Sequence, residues 1–218
     1  MVDRCLLYYI TDRSQFPGEE GARRHALLAK VAEAARAGVD YIQLREKDLS
    51  ARELETLARQ VVELVRENSP STRLLINSRT DVALAAGADG VHLRADDVAP
   101  HEVRQVLEVS AHRPLTTDHF LVAASCHTAA DVFRAESEAA DFAVFAPVFG
   151  KRGTAGTPPT GLAALREACR VKIPVLALGG VNLDNAASCL NAGGAGIAAI
   201  RLFQENKIED VVRALRAL

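Results

Sequence analysis

Long apolar runs, paired cysteines and an excess of either charge are all missing from these 218 residues. No segment approaches the roughly 18 uninterrupted apolar residues of a membrane span. Met1 leads through Asp3 and Arg4 into only a short apolar stretch, not the long apolar core of a leader. The 26 basic side chains face 28 acidic ones, a formal charge of −2, which argues against a general nucleic-acid binder. Cys5, Cys126, Cys169 and Cys189 stand alone, without a C-x-x-C pair or a histidine at zinc-finger spacing. They read as reduced, mostly buried small hydrophobes. The expectation is a soluble cytoplasmic protein without membrane or nucleic-acid partners, for which a homo-oligomer stays open. The Gly-x-Gly-x-x-Gly turn of a dinucleotide-binding open sheet is also absent after the first strand-like run.

What is present is an ordinary globular balance, 49% hydrophobic and 25% charged. Short apolar or β-branched runs alternate with Ala-, Leu-, Arg- and Glu-rich stretches of helical period, the pattern of parallel strands joined by crossover helices. Strands are expected at Leu6 to Ile10, Asp40 to Arg45, Leu74 to Asn77, Gly90 to Leu93, Leu121 to Ser125, Phe142 to Phe145, Pro174 to Leu178 and Gly196 to Ile200. Leu54, Leu57, Val61, Leu64 and Val65 mark the buried face of one intervening helix. Ser50 followed by Glu53 forms its capping-box start. The phrase around Gly38-Val39-Asp40 repeats around Gly87-Ala88-Asp89, with weaker copies at Glu138 to Phe142 and Asn191 to Ile197. Eight such units predict an α/β protein, a single (β/α)8 TIM barrel in one domain spanning 1–218; an open doubly wound sheet is the alternative.

In a barrel the chemistry gathers where strand C-termini meet the following loops. Polar residues are dense at those positions, and their basic groups and glycine turns suggest anionic ligands. Gln43, Arg45 and Lys47 alternate onto one face of an extended segment, so two cations and an amide converge. Gly179-Gly180 and Arg201 follow the last two strands, where barrels frequently hold a phosphate. Asp96 and Asp97 are candidates for Mg²⁺, which takes one or two carboxylates plus substrate phosphates. His127 is a candidate for proton transfer. His25, His101, His112 and His119 have no convergent partners in the sequence.

Tyr9-Ile10-Thr11-Asp12, Gln43-Leu44-Arg45-Glu46-Lys47, Ile76-Asn77-x-Arg79, Asp89-Gly90-Val91-His92-Leu93 with Asp97, Ser125-x-His127, Pro147-Val148-Phe149 and Gly179-Gly180-Val181 occur in order along nearly the whole chain. Together they resemble thiamine-phosphate synthase and its relative, the thiazole tautomerase. The resemblance implies a barrel that joins hydroxymethylpyrimidine, carried as its diphosphate, to a thiazole phosphate, releasing pyrophosphate with Mg²⁺ as cofactor. Carried over by that resemblance, Gln43, Arg45 and Lys47 would hold pyrophosphate, Asn77 would contact the pyrimidine diphosphate, Ser125 would line the pyrimidine site, Gly180 would cradle the thiazole phosphate and Asp97 would ligate Mg²⁺. Residues and resemblance together give a candidate site with Arg45, Lys47, Ser125 and His127 as catalytic residues, Gln43, Asn77, Arg79, Lys151, Thr154, Gly180 and Arg201 as substrate-binding residues, and Asp97 as the metal ligand.

Four positions depart from the synthase pattern. Ser78 stands where an acid is usual, Arg94-Ala95 where Gly-Gln is usual, Gly150-Lys151-Arg152-Gly153-Thr154 replaces a Thr-rich turn, and Arg201 replaces a serine. Lys151, Arg152 and Arg94 would then substitute for part of the magnesium charge. A tautomerase acting through His127, or a barrel that binds a thiamine-related phosphate without turnover, are the competing readings.

Overall fold

The computed structural model describes residues 4–109, 119–150 and 158–218. Eight parallel strands close into a barrel in chain order: β1 (Leu6–Ile10), β2 (Tyr41–Leu44), β3 (Arg73–Asn77), β4 (Gly90–Leu93), β5 (Leu121–Cys126), β6 (Phe142–Phe145), β7 (Val175–Ala177) and β8 (Gly196–Ala199). Each lies within one residue of its sequence expectation at either end. The crossovers carry α1 (Glu20–Arg36), α2 (Ala51–Asn68), α3 (Thr80–Ala86), α4 (Pro100–Val109), α5 (Ala129–Ser137), α6 (Gly161–Ala168) and α7 (Ala186–Asn191). Two helices, α8 (Arg201–Gln204) and α9 (Ile208–Arg216), follow β8.

The two-residue period of the strands divides the hydrophobic core in two. Leu6, Tyr8, Ile10, Leu75, Ala123, Phe142, Val144, Leu176 and Ala198 fill the barrel interior. Leu7, Tyr9, Ile42, Leu44, Ile76, Val91 and Leu93 face outward and meet the helices. The buried face of α2 is the expected one, Leu54, Leu57, Val61 and Val65 included, and its start is the Ser50–Glu53 capping box.

The internal repeat has a structural purpose. Asp40, Asp89 and Asp141 each precede an even-numbered strand and accept a backbone N–H from the strand before it: Leu7 at 2.7 Å, Leu74 at 2.8 Å and Val122 at 2.6 Å. Each carboxylate also meets arginine: Arg4 and Arg216 on Asp40, Arg73 on Asp89, Arg104 on Asp141. Two residues before each acid the chain turns through the left-handed region, at Gly38 (φ 79°), Gly87 (φ 71°) and, without a glycine, Ala139 (φ 62°). The fourth copy keeps the turn at Gly193 but has Ala195 in place of the acid.

Asp141 also corrects one expectation. His119, read as partnerless, places Nε2 2.6 Å from Asp141 Oδ1. His112 lies outside the described residues. All four cysteines are free, Cys126 and Cys189 fully buried, and burial raises the pKa of each thiol. Among the described residues, no helix is long and apolar enough to cross a membrane.

Candidate active site

Because all eight strands run the same way, their C-terminal ends share one mouth, and a cavity of about 570 Å³ opens there. Gln43, Arg45 and Lys47 all line it, although β2 ends at Leu44 and Lys47 lies in the turn beyond it, together with Asn77, Arg94, Ser125 and His127. Ile10, Val144, Leu178 and Ile200 supply apolar wall.

Glu46 shows why the cations reach the cavity. It turns away from Arg45 and Lys47 into a buried position, where Thr11 Oγ1 donates to Oε1 at 2.6 Å. Arg13 donates to Oε2 from its backbone N at 3.0 Å and from Nη1 at 3.1 Å. Burial raises the Glu46 pKa, against the opposing pull of these donors. Arg13 is then spread over Glu46, Asp48 and Glu20. Thr11 completes the brace by accepting the Arg45 N–H at 3.0 Å. Half-buried Arg45 has no carboxylate at ion-pair distance among the described residues, and desolvation lowers its pKa. Asp12 and Glu46 partly offset that cost from beyond ion-pair distance, and an anionic ligand would supply the close counter-charge.

Deeper in the wall, four uncharged groups join across the barrel. Gln43 Nε2 lies 3.0 Å from Tyr8 Oη, Tyr8 Oη 3.1 Å from His92 Nδ1, and His92 Nε2 2.8 Å from Ser125 Oγ. His92 is buried, and its pKa is pushed down to about 3 by that burial, with Arg45 adding to the effect. Sequence reading gave Tyr8 no role and counted His92 among the polar residues expected at the strand C-termini, without assigning it a task. Their strand parity was a usable signal, since Tyr8 alternates with inward Leu6 and Ile10, and His92 pairs in register with Asn77.

His127 sits on the rim, with Nδ1 2.7 Å from the Ala146 carbonyl. A carbonyl only accepts, so Nδ1 carries a proton, and in the neutral ring Nε2 is the acceptor. Its backbone is fixed by Asp131, whose carboxylate takes the N–H of His127 at 3.1 Å and forms a capping box with Thr128 at the start of α5.

In the neighbouring loops after β3 and β4, and outside the residues that line the cavity, Ser78 Oγ lies 2.7 Å from each oxygen of Asp97, and the Arg94 N–H donates to Oδ2 at 2.7 Å. Asp96 lines the cavity, while its carboxylate is paired with the Arg94 guanidinium. No group of three metal-ligating side chains occurs among the described residues. The donor set, one carboxylate beside a hydroxyl, fits an Mg²⁺ ion that shares its coordination with substrate phosphates, not one held by protein alone.

Other expected residues fall away from the cavity wall. Arg79 forks onto Asp81 at 2.8 and 2.5 Å. Arg201 opens α8 in an exposed position. Of the glycine pair it is Gly179 that lines the cavity. Its φ of +95° suits glycine, and a Cβ there would come 2.7 Å from Pro147 Cα. Among the described residues the N–H groups of Gly179 and Gly180 donate to no backbone carbonyl. Lys151, Arg152 and Thr154 lie outside the described residues.

Fold and mouth together define a (β/α)8-barrel protein with an amide and several cations gathered at the strand C-termini. The comparisons with known proteins narrow that class. The family model for thiamine monophosphate synthase matches residues 7–203. A thiamine-phosphate synthase of Methanoculleus marisnigri is 37% identical over 214 residues, covering 96% of this chain and 93% of the relative. One of Syntrophomonas wolfei is 36% identical over 217 residues, covering 97% and 95%. The solved thiamine phosphate pyrophosphorylase of Pyrococcus furiosus superposes with a TM-score of 0.79 at 29% identity, covering 99% of this chain and 96% of that one. The chain belongs to the thiamine monophosphate synthase family.

Proposed function

We propose that the chain transfers the hydroxymethylpyrimidine group from its diphosphate to the ring nitrogen of a thiazole phosphate, forming thiamine phosphate and pyrophosphate. The observation that carries this reading is the convergence of Gln43, Arg45 and Lys47 on one cavity, with Arg45 half-buried and lacking a carboxylate partner among the described residues. The bond between the pyrimidine methylene carbon and the diphosphate oxygen breaks, and its electron pair leaves with pyrophosphate. The thiazole nitrogen lone pair then forms the new C–N bond to that carbon.

Arg45 and Lys47 hold the diphosphate and stabilise the negative charge that grows on it as it departs. Asn77, at the end of β3, contacts the same ligand. Ile10, Val144 and Leu178 keep water from the cationic carbon, which would otherwise be captured as the alcohol. Ser125 faces the pyrimidine, and the open N–H groups of Gly179 and Gly180 receive the thiazole phosphate. Mg²⁺ would be held by Asp97 and the substrate phosphates, and supplies charge neutralisation to the leaving group. The reaction belongs to the cytoplasm in this reading, and its partners are small phosphorylated molecules.

The rim position of His127 supports a second reading. Its Nε2 acceptor suits proton shifts on a thiazole carboxylate phosphate, an isomerase activity. One experiment separates the two: purified protein is given hydroxymethylpyrimidine diphosphate, thiazole phosphate and Mg²⁺, and thiamine phosphate is detected as its fluorescent oxidised form. Mg²⁺-dependent product that disappears in Lys47→Ala is the expected outcome. Folded protein that makes no product, yet interconverts thiazole tautomers through His127, would replace transfer with isomerisation.

A further inference from the structure

Tyr8 and His92 carry a hydrogen-bond chain whose polarity follows from counting protons. Tyr8 has one hydroxyl proton and accepts an amide N–H from Gln43 Nε2 at 3.0 Å. The buried hydroxyl's other partner is His92 Nδ1, 3.1 Å away, and its proton finds an acceptor there when Nδ1 is the bare nitrogen of the ring. The imidazole proton then sits on Nε2 and is donated to Ser125 Oγ at 2.8 Å. Ser125 makes no other hydrogen bond among the described residues, so its own proton is left for the cavity that it lines.

The chain is also mechanically fixed. The Tyr8 ring is held edge-on by Tyr41 and Phe142, with centroids at 5.8 and 5.5 Å, and those two rings stack on each other at 4.8 Å. The phenol cannot swing away without unpacking the barrel interior. The four linked residues come from β2, β1, β4 and the β5 end, so no single crossover could set their alignment.

We propose that Tyr8 and His92 are positioning residues that hold Ser125 as a hydrogen-bond donor toward the substrate and keep the cavity floor uncharged beneath it. The proposal rests on the transfer reading and deepens it. A pyrimidine offers ring-nitrogen acceptors to a donor hydroxyl. The pyrimidine-methyl cation left when pyrophosphate departs is destabilised by any like charge in a poorly solvated floor. A histidine supplies both a donor and an acceptor there at no net charge, and its burial, with the Arg45 cation nearby, keeps it from protonating.

The test has two arms on the full-length protein. With ¹⁵N-labelled histidine, the His92 signal, identified by its loss in His92→Gln, is expected as the neutral Nε2–H tautomer, unmoved between about pH 5 and 8, where ordinary histidines titrate. A protonated ring or the Nδ1–H tautomer would overturn the proposal, the latter because the chain would then run from Ser125 toward Gln43. In the coupling assay, Tyr8→Phe keeps the wedged ring and should lower kcat about tenfold, the size of one lost buried hydrogen bond, with KM for thiazole phosphate unchanged. His92→Gln, whose amide both donates and accepts, should retain more kcat than His92→Leu. An unchanged kcat in Tyr8→Phe, or equal losses in the two His92 variants, would also overturn it. Wild-type protein that couples nothing would instead sink the transfer reading, while the histidine spectrum still decides which way the chain runs.

Discussion

In the transfer reading, Arg45 and Ser78 are the two residues whose substitution tests the site most directly. Arg45 enters a desolvated wall because its neighbour Glu46 is occupied by Thr11 and Arg13, so its charge is committed to the cavity. Losing one preorganised donor to a developing anion typically costs about 10²- to 10³-fold in rate. Arg45→Ala should therefore lower kcat/KM for the pyrimidine diphosphate by about that factor, while His101→Ala, on the exposed side of α4, should leave it unchanged. Ser78 adopts φ 66°, a region that Asp and Asn tolerate better than most residues, and it sits on the Asp97 carboxylate. Ser78→Asp would put two carboxylates together, repelling when empty and joined by a divalent ion when filled. Its thermal midpoint should fall without Mg²⁺ and recover with it, whereas the native protein should move little; a variant indifferent to Mg²⁺ would show that this pair is no metal site.

The β-strand pair with its acidic clasp is the repeating element of the barrel. Asp40, Asp89 and Asp141 each tie one strand to the backbone of its predecessor, a charge-assisted bond of about 1.5–3 kcal/mol. Asp89→Ala should cost about 2 kcal/mol in chemical denaturation with little change in turnover, because the clasp lies at the strand N-termini, across the barrel from the cavity. The same element contains one misfit. Ala139 occupies the left-handed turn that glycine fills in the other copies, a conformation costing an L-residue about 1–2 kcal/mol. Ala139→Gly should raise the melting temperature by about 2–4 °C per kcal/mol recovered, a shift read directly by calorimetry. A lowered melting temperature would mean that the lost helix-end order outweighs the relieved strain.

At the scale of the molecule, the neutral histidine inside the barrel links stability to pH. In the unfolded chain His92 titrates near its ordinary 6.5, while in the folded barrel its pKa is about 3. Between those values the unfolded state binds the extra proton, so stability is complete above pH 6.5 and falls as pH drops toward 3, by at most about 5 kcal/mol. Urea unfolding at a series of pH values should show that slope in the native protein and a shallower one in His92→Gln.

The order of eight strands, the inward parity of Gln43 and Arg45 and the α2 capping box were legible in the chain, because each depends on near neighbours and a fixed local period. The repeated Gly-x-Asp phrase was legible as a pattern, though its clasp was not, since the acceptor serves a backbone N–H in another strand. Barrel closure decided the rest. It placed Tyr8 against His92 across 84 residues of sequence, turned Gly179 to the cavity wall, and left Arg201 at the surface. Local periodicity specifies which side of a strand a residue faces; only the closed sheet specifies which other strand it meets there, because that distance is set by packing around the whole ring.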